Sequence, residues 1–223
     1  MCGICGIVSS KLGERHLRTL LGDMNDSLVH RGPDDEGIFC TDGIGLGHRR
    51  LSIIDLAGGH QPMQNREGSV TVVFNGEIYN YRQLRKELLA KGHVFSTNSD
   101  TEVILNQYLE DGIGCLDKLR GMFAFAIWDD REKRLYLARD RIGIKPLYYA
   151  ETGEGFIFAS EIKALLKSGF IEPEMELNAV DSFLTVGLVP SPQTMFRGIR
   201  KLPPGCYALV DGDGNRTIRR YWS

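Results

Sequence analysis

This sequence of 223 residues lacks several features that would define a protein's class. Its longest apolar run, Met122 to Trp128, is far shorter than the roughly 18 residues of a membrane span. Basic and acidic residues nearly balance, at 27 and 29, so nothing predicts a nucleic-acid partner or a charged, disordered tail. The N-terminus lacks the basic segment and apolar core of a signal peptide. We therefore expect no membrane and no nucleic-acid partner, and a chain of one large domain or two small ones.

Cysteine is also scarce, and the five cysteines are scattered: Cys2, Cys5, Cys40, Cys115 and Cys206. An odd number at wide spacing is typical of reduced thiols in the cytoplasm, where we expect this protein. The pair Cys2 and Cys5 is a weak metal or redox motif, because no second pair of ligands completes a zinc site. In a strand their Cα atoms would lie roughly 10 Å apart, whereas a disulfide needs less than about 7 Å. We predict that Cys5 fills a small buried space and that the domain has no metal site.

The hydrophobic pattern predicts many strands, with helices in groups and not in strict alternation with them. Helices are predicted at residues 15–30, 81–92, 161–167 and 178–186, and after a capping box at 99–102. Strands are predicted at residues 37–40, 44–48, 51–54, 70–74, 121–128, 134–139, 147–150 and 156–159, with a loop at 57–68 and a terminal hairpin around 211–215. This arrangement favours an α+β fold with mainly antiparallel sheets.

The most reactive group is predicted at the start of the chain. Cysteine at position 2 is small enough for Met1 to be removed, so that one residue would carry both the thiol and the α-amine. A thiol pKa near ~8.5 and an amine pKa near ~7.7–8.0 let the amine act as base for its own thiol at neutral pH. Ile4 and Ile7 predict a buried strand that would hold this terminus in place. The alternative is an ordinary terminal cysteine with no catalytic role.

A set of short segments occurs in an order that identifies a family. They are residues 2–4 (CGI), 31–34 (RGPD), 48–53 (HRRLSI), 75–80 (NGEIYN), 99–104 (SDTEVI), 121–125 (GMFAF), 139–149 (RDRIGIKPLYY), 159–161 (ASE) and 202–205 (LPPG). With them the chain resembles the N-terminal glutaminase domain of glutamine-hydrolysing asparagine synthetase, a class II glutamine amidotransferase. The resemblance implies the N-terminal-nucleophile hydrolase fold, a four-layer αββα sandwich of two antiparallel sheets. It implies that residues 1–223 form one type 2 glutamine amidotransferase domain.

The resemblance also implies the chemistry. Cys2 would attack the side-chain amide of L-glutamine, release ammonia and form a thioester that water then hydrolyses to glutamate. The side-chain amide of Asn75 and the backbone N–H of Gly76 would stabilise the oxyanion. The alternative for Asn75-Gly76 is a type I′ hairpin turn, which we rank lower because the following sequence is helical.

The substrate-binding residues implied by the resemblance are Arg50, Leu51, Ile53, Asn75, Gly76, Glu77 and Asp100. The guanidinium of Arg50 would hold the α-carboxylate of glutamine with two hydrogen bonds. The alternative is that Arg50 is an ordinary surface arginine on a strand. Adjacent Arg49 must then face the other side of its strand. Glu77 and Asp100 would receive the α-ammonium, although a carboxylate in the first turn of a helix, as at Asp100, is favoured anyway.

Two departures from the family affect the interpretation. A second thiol at Cys5 replaces the usual apolar residue and would make the site more prone to oxidation. The ATP-binding Ser-Gly-Gly-x-Asp-Ser loop of the synthetase domain is absent, as is a GxxxxGK[ST] loop. We therefore expect no cofactor in this domain, with ATP and Mg confined to a C-terminal synthetase domain that this chain lacks.

The implied partner is a synthetase domain or subunit, and the family also allows a homodimer. The implied function is supply of ammonia for ATP-dependent asparagine synthesis from aspartate. Two alternatives stay open: an amidotransferase that acts on another carboxylate acceptor, and a non-catalytic scaffold domain that docks on a synthetase.

Overall fold

Two antiparallel sheets of six strands form the centre of the computed structural model, which describes residues 1–52, 55 and 58–223. The strands are β1 (Gly3–Val8), β2 (Asp35–Thr41), β3 (Ile44–Arg50), β4 (Met63–Gln64), β5 (Val70–Ile78), β6 (Gly121–Asp129), β7 (Arg134–Arg139), β8 (Tyr148–Thr152), β9 (Gly155–Ala159), β10 (Ile199–Lys201), β11 (Cys206–Asp211) and β12 (Arg216–Arg220). The helices are α1 (Glu14–Asp26), α2 (Tyr81–Ala90), α3 (Asp100–Asp111), α4 (Cys115–Lys118), α5 (Ile162–Lys167) and α6 (Leu177–Val186). The first sheet has the order β10-β8-β9-β1-β3-β2, and the second has the order β12-β11-β7-β6-β5-β4.

Alternation of side chains along the strands produces three hydrophobic layers. Ile4 and Val8 of β1 belong to the core between the two sheets, together with Val73 of β5. Cys5, on the opposite face of β1, packs against α1 and α5. The outer face of the second sheet, including Phe74, packs against α2 and α3. The predicted four-layer αββα sandwich is confirmed.

Most predicted elements are found within a few residues of their expected bounds, but the region after β3 differs. No separate strand begins at Leu51, where one was predicted over residues 51–54. Strand β3 instead extends to Arg50, which still pairs with Asp35 of β2. Leu51 and Ser52 belong to no strand, and residues 53 and 54 lie outside the described residues. The predicted loop at 57–68 contains the short strand β4, which pairs with Val72 and Thr71 of β5.

Only half of the predicted capping box forms at the start of α3. The Ser99 side chain accepts a hydrogen bond from the Thr101 backbone N–H, as an N-cap residue does. The carboxylate of Glu102 accepts instead from the backbone N–H groups of Ser96 and Thr97, so it fixes the preceding loop. In the described ranges, no helix is both long and apolar enough to cross a lipid bilayer.

Candidate active site

Strand alternation brings the predicted nucleophile and oxyanion donor to the same gap between the sheets. Cys2 immediately precedes β1 and shares the side of Ile4, which faces the second sheet. Asn75 shares the side of Val73 on β5, which faces the first sheet. At one end of the gap these residues line a cavity of about 130 Å³ that Met1 also lines. The cavity is large enough for several water molecules, and so for a small substrate group.

The thiol of Cys2 lies against the end of β3. Its Sγ is 3.4 Å from the backbone nitrogen of Leu51, whose N–H donates to it. Burial raises the pKa of the Cys2 thiol, and the Leu51 hydrogen bond and the charge of Arg50 only partly oppose this effect. The thiol is therefore protonated at rest and needs a base. No histidine is found among the described residues of the cavity wall, and the role of the terminal amine as the base stays a prediction.

The edge of β5 next to the cavity presents three backbone N–H groups in alternation. The first, of Phe74, donates to Oε1 of Gln61 at 2.7 Å, and the third, of Ile78, donates to Oδ2 of Asp100 at 3.0 Å. Because alternate residues of a strand point their N–H groups to the same edge, the N–H of Gly76 must point between these two. Phe123, opposite Gly76 on β6, turns its own N–H and C=O toward Asp140 on the far side, consistent with this geometry. The Gly76 N–H is therefore directed into the cavity.

The side chain of Asn75 supplies a second donor beside it. Asn75 is buried, and its Nδ2 atom has no hydrogen-bond partner in the described part of the chain. A buried amide nitrogen without a partner is costly unless a ligand completes it. The cavity wall thus carries two donors, one from a side chain and one from the backbone, and their role as the oxyanion donors stays a prediction.

Comparison with known proteins decides the family at this point. Residues 1–222 match the family described as glutamine amidotransferase domain. The chain belongs to this family.

Individual relatives agree with the family match. Asparagine synthetase [glutamine-hydrolyzing] 3 of Bacillus subtilis (strain 168) is 40% identical over 226 residues, covering 100% of this chain and 37% of the relative. Asparagine synthetase [glutamine-hydrolyzing] 2 of the same organism is 47% identical over 231 residues, covering 100% of this chain and 31% of the relative. The chain therefore spans about a third of the length of these curated relatives. The resemblance predicted from the sequence is confirmed.

A solved structure agrees on the fold. The allosteric regulatory enzyme of purine biosynthesis matches with a TM-score of 0.71 at 22% identity, covering 99% of this chain and 49% of that one. At this identity the likeness concerns the fold alone.

The amidotransferase domain separates its two adjacent arginines as predicted. Arg50 lines the cavity, where its Nη2 donates to the backbone oxygen of Asp55 at 2.6 Å. Arg49 points to the opposite face of β3 and pairs there with Asp26 and Glu36. Only Arg50 is therefore placed to contact a substrate, and its role as the carboxylate ligand stays a prediction.

Two carboxylates lie at the same end of the cavity. Glu77 and Asp100 both line it, and Asp100 accepts the Ile78 N–H described above. Burial raises the pKa of Asp100 to about 6, and the negative charge of Glu77 adds to this effect. Asp100 thus has a structural role at the start of α3 and also lines the cavity, and its role toward an ammonium group stays a prediction.

The structure brings together Cys2, Arg50, Leu51, Asn75, Gly76, Glu77 and Asp100. Ile53 lies outside the described residues. Cys5 is fully buried and unpaired on the α1 side of β1, so the prediction of a small buried filler is confirmed. It faces away from the cavity, so it is not the second thiol beside the nucleophile on which the expectation of a more oxidation-prone site depends. No group of three metal-binding side chains occurs among the described residues.

Three further residues were missed from the sequence. Gln61 fixes the Phe74 N–H, and His48 of β3 contacts the Phe74 oxygen through Nε2 at 3.1 Å. Burial lowers the pKa of His48 to about 3, so its ring is neutral, and the contact with a carbonyl makes Nε2 the donor. Lys145 lines the cavity from the loop before β8. His48 and Lys145 lie within family segments but carry no local signal of a role, and Gln61 lies outside those segments.

Proposed function

We propose that this domain hydrolyses L-glutamine to glutamate and ammonia, with Cys2 as the nucleophile. The observation that carries the proposal is the cavity shared by the Cys2 thiol, the Gly76 N–H and the Nδ2 atom of Asn75, which has no partner among the described residues. Unlike the buried Asn25 amide on α1, this donor lies in the wall of the Cys2 cavity, where a substrate can complete it.

The reaction begins after Met1 has been removed. The free α-amine of Cys2 accepts the thiol proton, and the sulfur attacks the amide carbon of glutamine. The resulting oxyanion accepts hydrogen bonds from Asn75 Nδ2 and the Gly76 N–H. Collapse of this intermediate transfers the proton from the amine to the leaving nitrogen and releases ammonia. Water, deprotonated by the same amine, then attacks the thioester and frees glutamate.

The arrangement of charges sets the orientation of the substrate. The Arg50 guanidinium holds the α-carboxylate, and Glu77 and Asp100 hold the α-ammonium at the other side of the cavity. Met1 lines the same cavity, so its removal both frees the amine and opens space for the substrate.

The test is a paired comparison of two cysteine variants. Intact mass should show that the active protein has lost Met1, and this protein should release ammonia and glutamate from L-glutamine. Cys2→Ala should abolish both products. Cys5→Ala, which removes a buried thiol from the other face of β1, should retain them. Hydrolysis that persists in Cys2→Ala would refute the proposal, and full activity with Met1 retained would refute the role of the amine.

We further propose that the ammonia serves ATP-dependent asparagine synthesis from aspartate, in a synthetase domain or subunit that binds the ATP and Mg. The names of the relatives support this acceptor. Another acceptor is the second candidate, since a relative that is 36% identical, from Gibberella zeae, is named amidase chry2. Aspartate-dependent ATP cleavage by the synthetase that this domain serves would support the first candidate. Cleavage that depends on a different carboxylate would support the second.

The outer surface of α6 supports a synthetase partner. Among the residues of α6 only Ala179 is buried, while Leu177, Phe183, Leu184 and Val186 are exposed. An apolar surface of this kind on a soluble domain usually contacts another protein.

The position of α6 favours the synthetase as that protein. Lys201 Nζ donates to the oxygen of Val189, just beyond α6. The strand register from Lys201 through Tyr148 and Ala159 to Cys5 places this point at the end of the first sheet where Cys2 lies. Three strand spacings separate the backbones of Lys201 and Cys5 by roughly 14 Å, so this surface lies on the same side of the domain as the cavity.

A single charge on α6 tests this contact. In the complete amidotransferase, Leu184→Glu should lower glutamine-dependent asparagine formation and spare both glutamine hydrolysis and ammonia-dependent formation. Unchanged glutamine-dependent formation would argue against the contact. A dimer of this chain alone that the same substitution dissolves would identify a second copy as the occupant.

A further inference from the structure

The ammonium group of Lys145 occupies an unusual environment. Lys145 is only 4% exposed, and in the part of the chain that the structure describes the only hydrogen bond of its ammonium group is to Sδ of Met1, at 3.4 Å. A thioether sulfur is a weak acceptor, and Lys145 forms no ion pair with any described carboxylate. By contrast, the exposed Lys91 has a carboxylate partner in Glu110. A buried cation with so little compensation needs an explanation in function.

The protein fixes the backbone of Lys145 on both sides. Its N–H donates to Oδ2 of the buried Asp140 at 2.9 Å, and its oxygen accepts from Nε of Arg139 at 2.7 Å. The same carboxylate accepts from Ile144 N–H, and the same guanidinium donates to the oxygen of Gly143. The loop is therefore built to hold this lysine where it is.

Lys145 is one of two largely buried cations close to Cys2. Its Nζ is 3.4 Å from Sδ of Met1, the residue bonded to the Cys2 nitrogen, and Lys145 and Cys2 line the same cavity. Removal of Met1 would take this sulfur away and leave the ammonium in the same cavity as the new terminus. On the other side, Nε of Arg31 donates to the oxygen of Cys2 at 2.9 Å. The Arg31 side chain is nearly buried, and its Nη2 has no partner among the described residues.

Like charges in a buried site cannot all persist. An α-amine holds its proton less tightly than a lysine or an arginine, with reference pKa values of about 7.7–8.0, 10.4 and above 12. The group that loses its proton is therefore the amine of Cys2. Burial and the charge of Arg31 lower the pKa of Lys145 as well, but from a much higher starting value.

The other charged groups around Cys2 do not cancel this effect. Glu161 is paired with Arg31, and Asp140 is engaged by backbone N–H groups. Arg50 adds a further positive charge from β3, while Glu77 and Asp100 bring negative charge from the opposite wall. These two carboxylates are the groups that the α-ammonium of the substrate would neutralise.

We propose that Lys145 is a positioning residue for proton transfer: its fixed positive charge, with that of Arg31, keeps the α-amine of mature Cys2 unprotonated and ready to accept the thiol proton. Lys145 itself neither gives nor takes a proton. The thiol proton moves to the amine nitrogen, and the electron pair left on sulfur forms the bond to the substrate carbon. This inference rests on the proposed glutaminase function.

The test measures how the reactivity of Cys2 depends on pH. Cys2 is the one cysteine of the described chain that is not buried, so alkylation by iodoacetamide can be followed on the N-terminal peptide by mass. Protein without Met1 is used throughout, as verified by intact mass. In Lys145→Met, the midpoint of the rise in alkylation rate should move up by about 1 pH unit. The acidic limb of kcat/KM for glutamine should move in the same direction.

Two matched variants separate charge from structure. Lys145→Arg keeps the charge and should keep the midpoint, and Lys91→Met removes an exposed lysine of the α2 C-cap and should leave it unchanged. The inference is overturned if the midpoint stays in place in Lys145→Met, or if Lys145→Arg moves it equally. If instead Cys2→Ala still hydrolyses glutamine, the proposed function itself has failed.

Discussion

Replacement of Asn75 by alanine should separate catalysis from stability. The Nδ2 atom of Asn75 is buried and makes no hydrogen bond within the described residues at rest, so truncation breaks no such bond of that atom. It removes a donor that is used only once the oxyanion forms. A single oxyanion donor contributes about 2.7–4 kcal/mol, which corresponds to a fall in kcat of roughly 10²–10³-fold. KM for glutamine should change little, because the ground-state carbonyl oxygen is not yet in the donor position.

The assay is steady-state release of glutamate, with urea unfolding measured on the same samples. Asn75→Ala should unfold at nearly the same urea concentration as the parent protein, because the Nδ2 atom that it removes makes no hydrogen bond to the described residues that unfolding would break. Asn25→Ala is the matched control: Asn25 is equally buried and its side-chain atoms also lack partners among the described residues, but it lies on α1 outside the first sheet. It should leave kcat unchanged.

Two results would refute this reasoning. An unchanged kcat in Asn75→Ala would mean that the amide does not meet the oxyanion. A loss carried mainly by KM would mean that it binds the ground state of the substrate. Asn75→Asp provides a second check, because it keeps the shape but replaces the donor with a negative charge, and it should be at least as damaging as alanine.

Three further predictions concern the walls of the cavity. Arg50→Lys should raise KM for glutamine by about tenfold or more in steady-state kinetics, since an ammonium cannot form the two parallel bonds, whereas Arg49→Lys should not. Because the pKa of Asp100 is raised to about 6, its charged form is populated only as pH rises through 6. KM for glutamine should therefore fall from pH 5 to 7, and Asp100→Asn should flatten that profile. The raised pKa of Asp100 also means that the contribution of this residue to the free energy of unfolding declines as pH rises from about 4 to above 6. Gly76→Ala should lower the urea midpoint as well as activity, since its Cβ would overlap the backbone oxygen of Met122.

The sequence predicted the faces of the strands well because side-chain alternation is a local property. The opposite orientation of Arg49 and Arg50 follows from a period of two, and the structure has one arginine at the cavity and the other at α1. Similarly, the apolar run ending at Trp128 indicated a strand covered on both faces, and β6 is buried along most of its length.

The parts of the site that could not be predicted depend on contacts between distant segments. His48 reaches the Phe74 oxygen only because the two sheets stack, and Gln61 reaches the Phe74 N–H because the segment before β4 runs along the edge of β5. Lys145 approaches Met1 across 144 positions of sequence. No periodicity or turn signal encodes such a meeting, so these residues carried no recognisable local pattern.

The strand β5 explains why the site lies where it does. Its partner β4 is only two residues long, so beyond Val72 one edge of β5 has no neighbouring strand in the described parts of the chain, and its N–H groups need other acceptors. Side chains from distant segments satisfy the N–H groups of Phe74 and Ile78 and leave that of Gly76 directed into the cavity. Asn-Gly ordinarily favours a turn, yet here it lies inside a strand, in conflict with its local preference. Such a conflict is expected where function and not folding selects the residues, and the unfilled edge is what makes the pair available to a substrate.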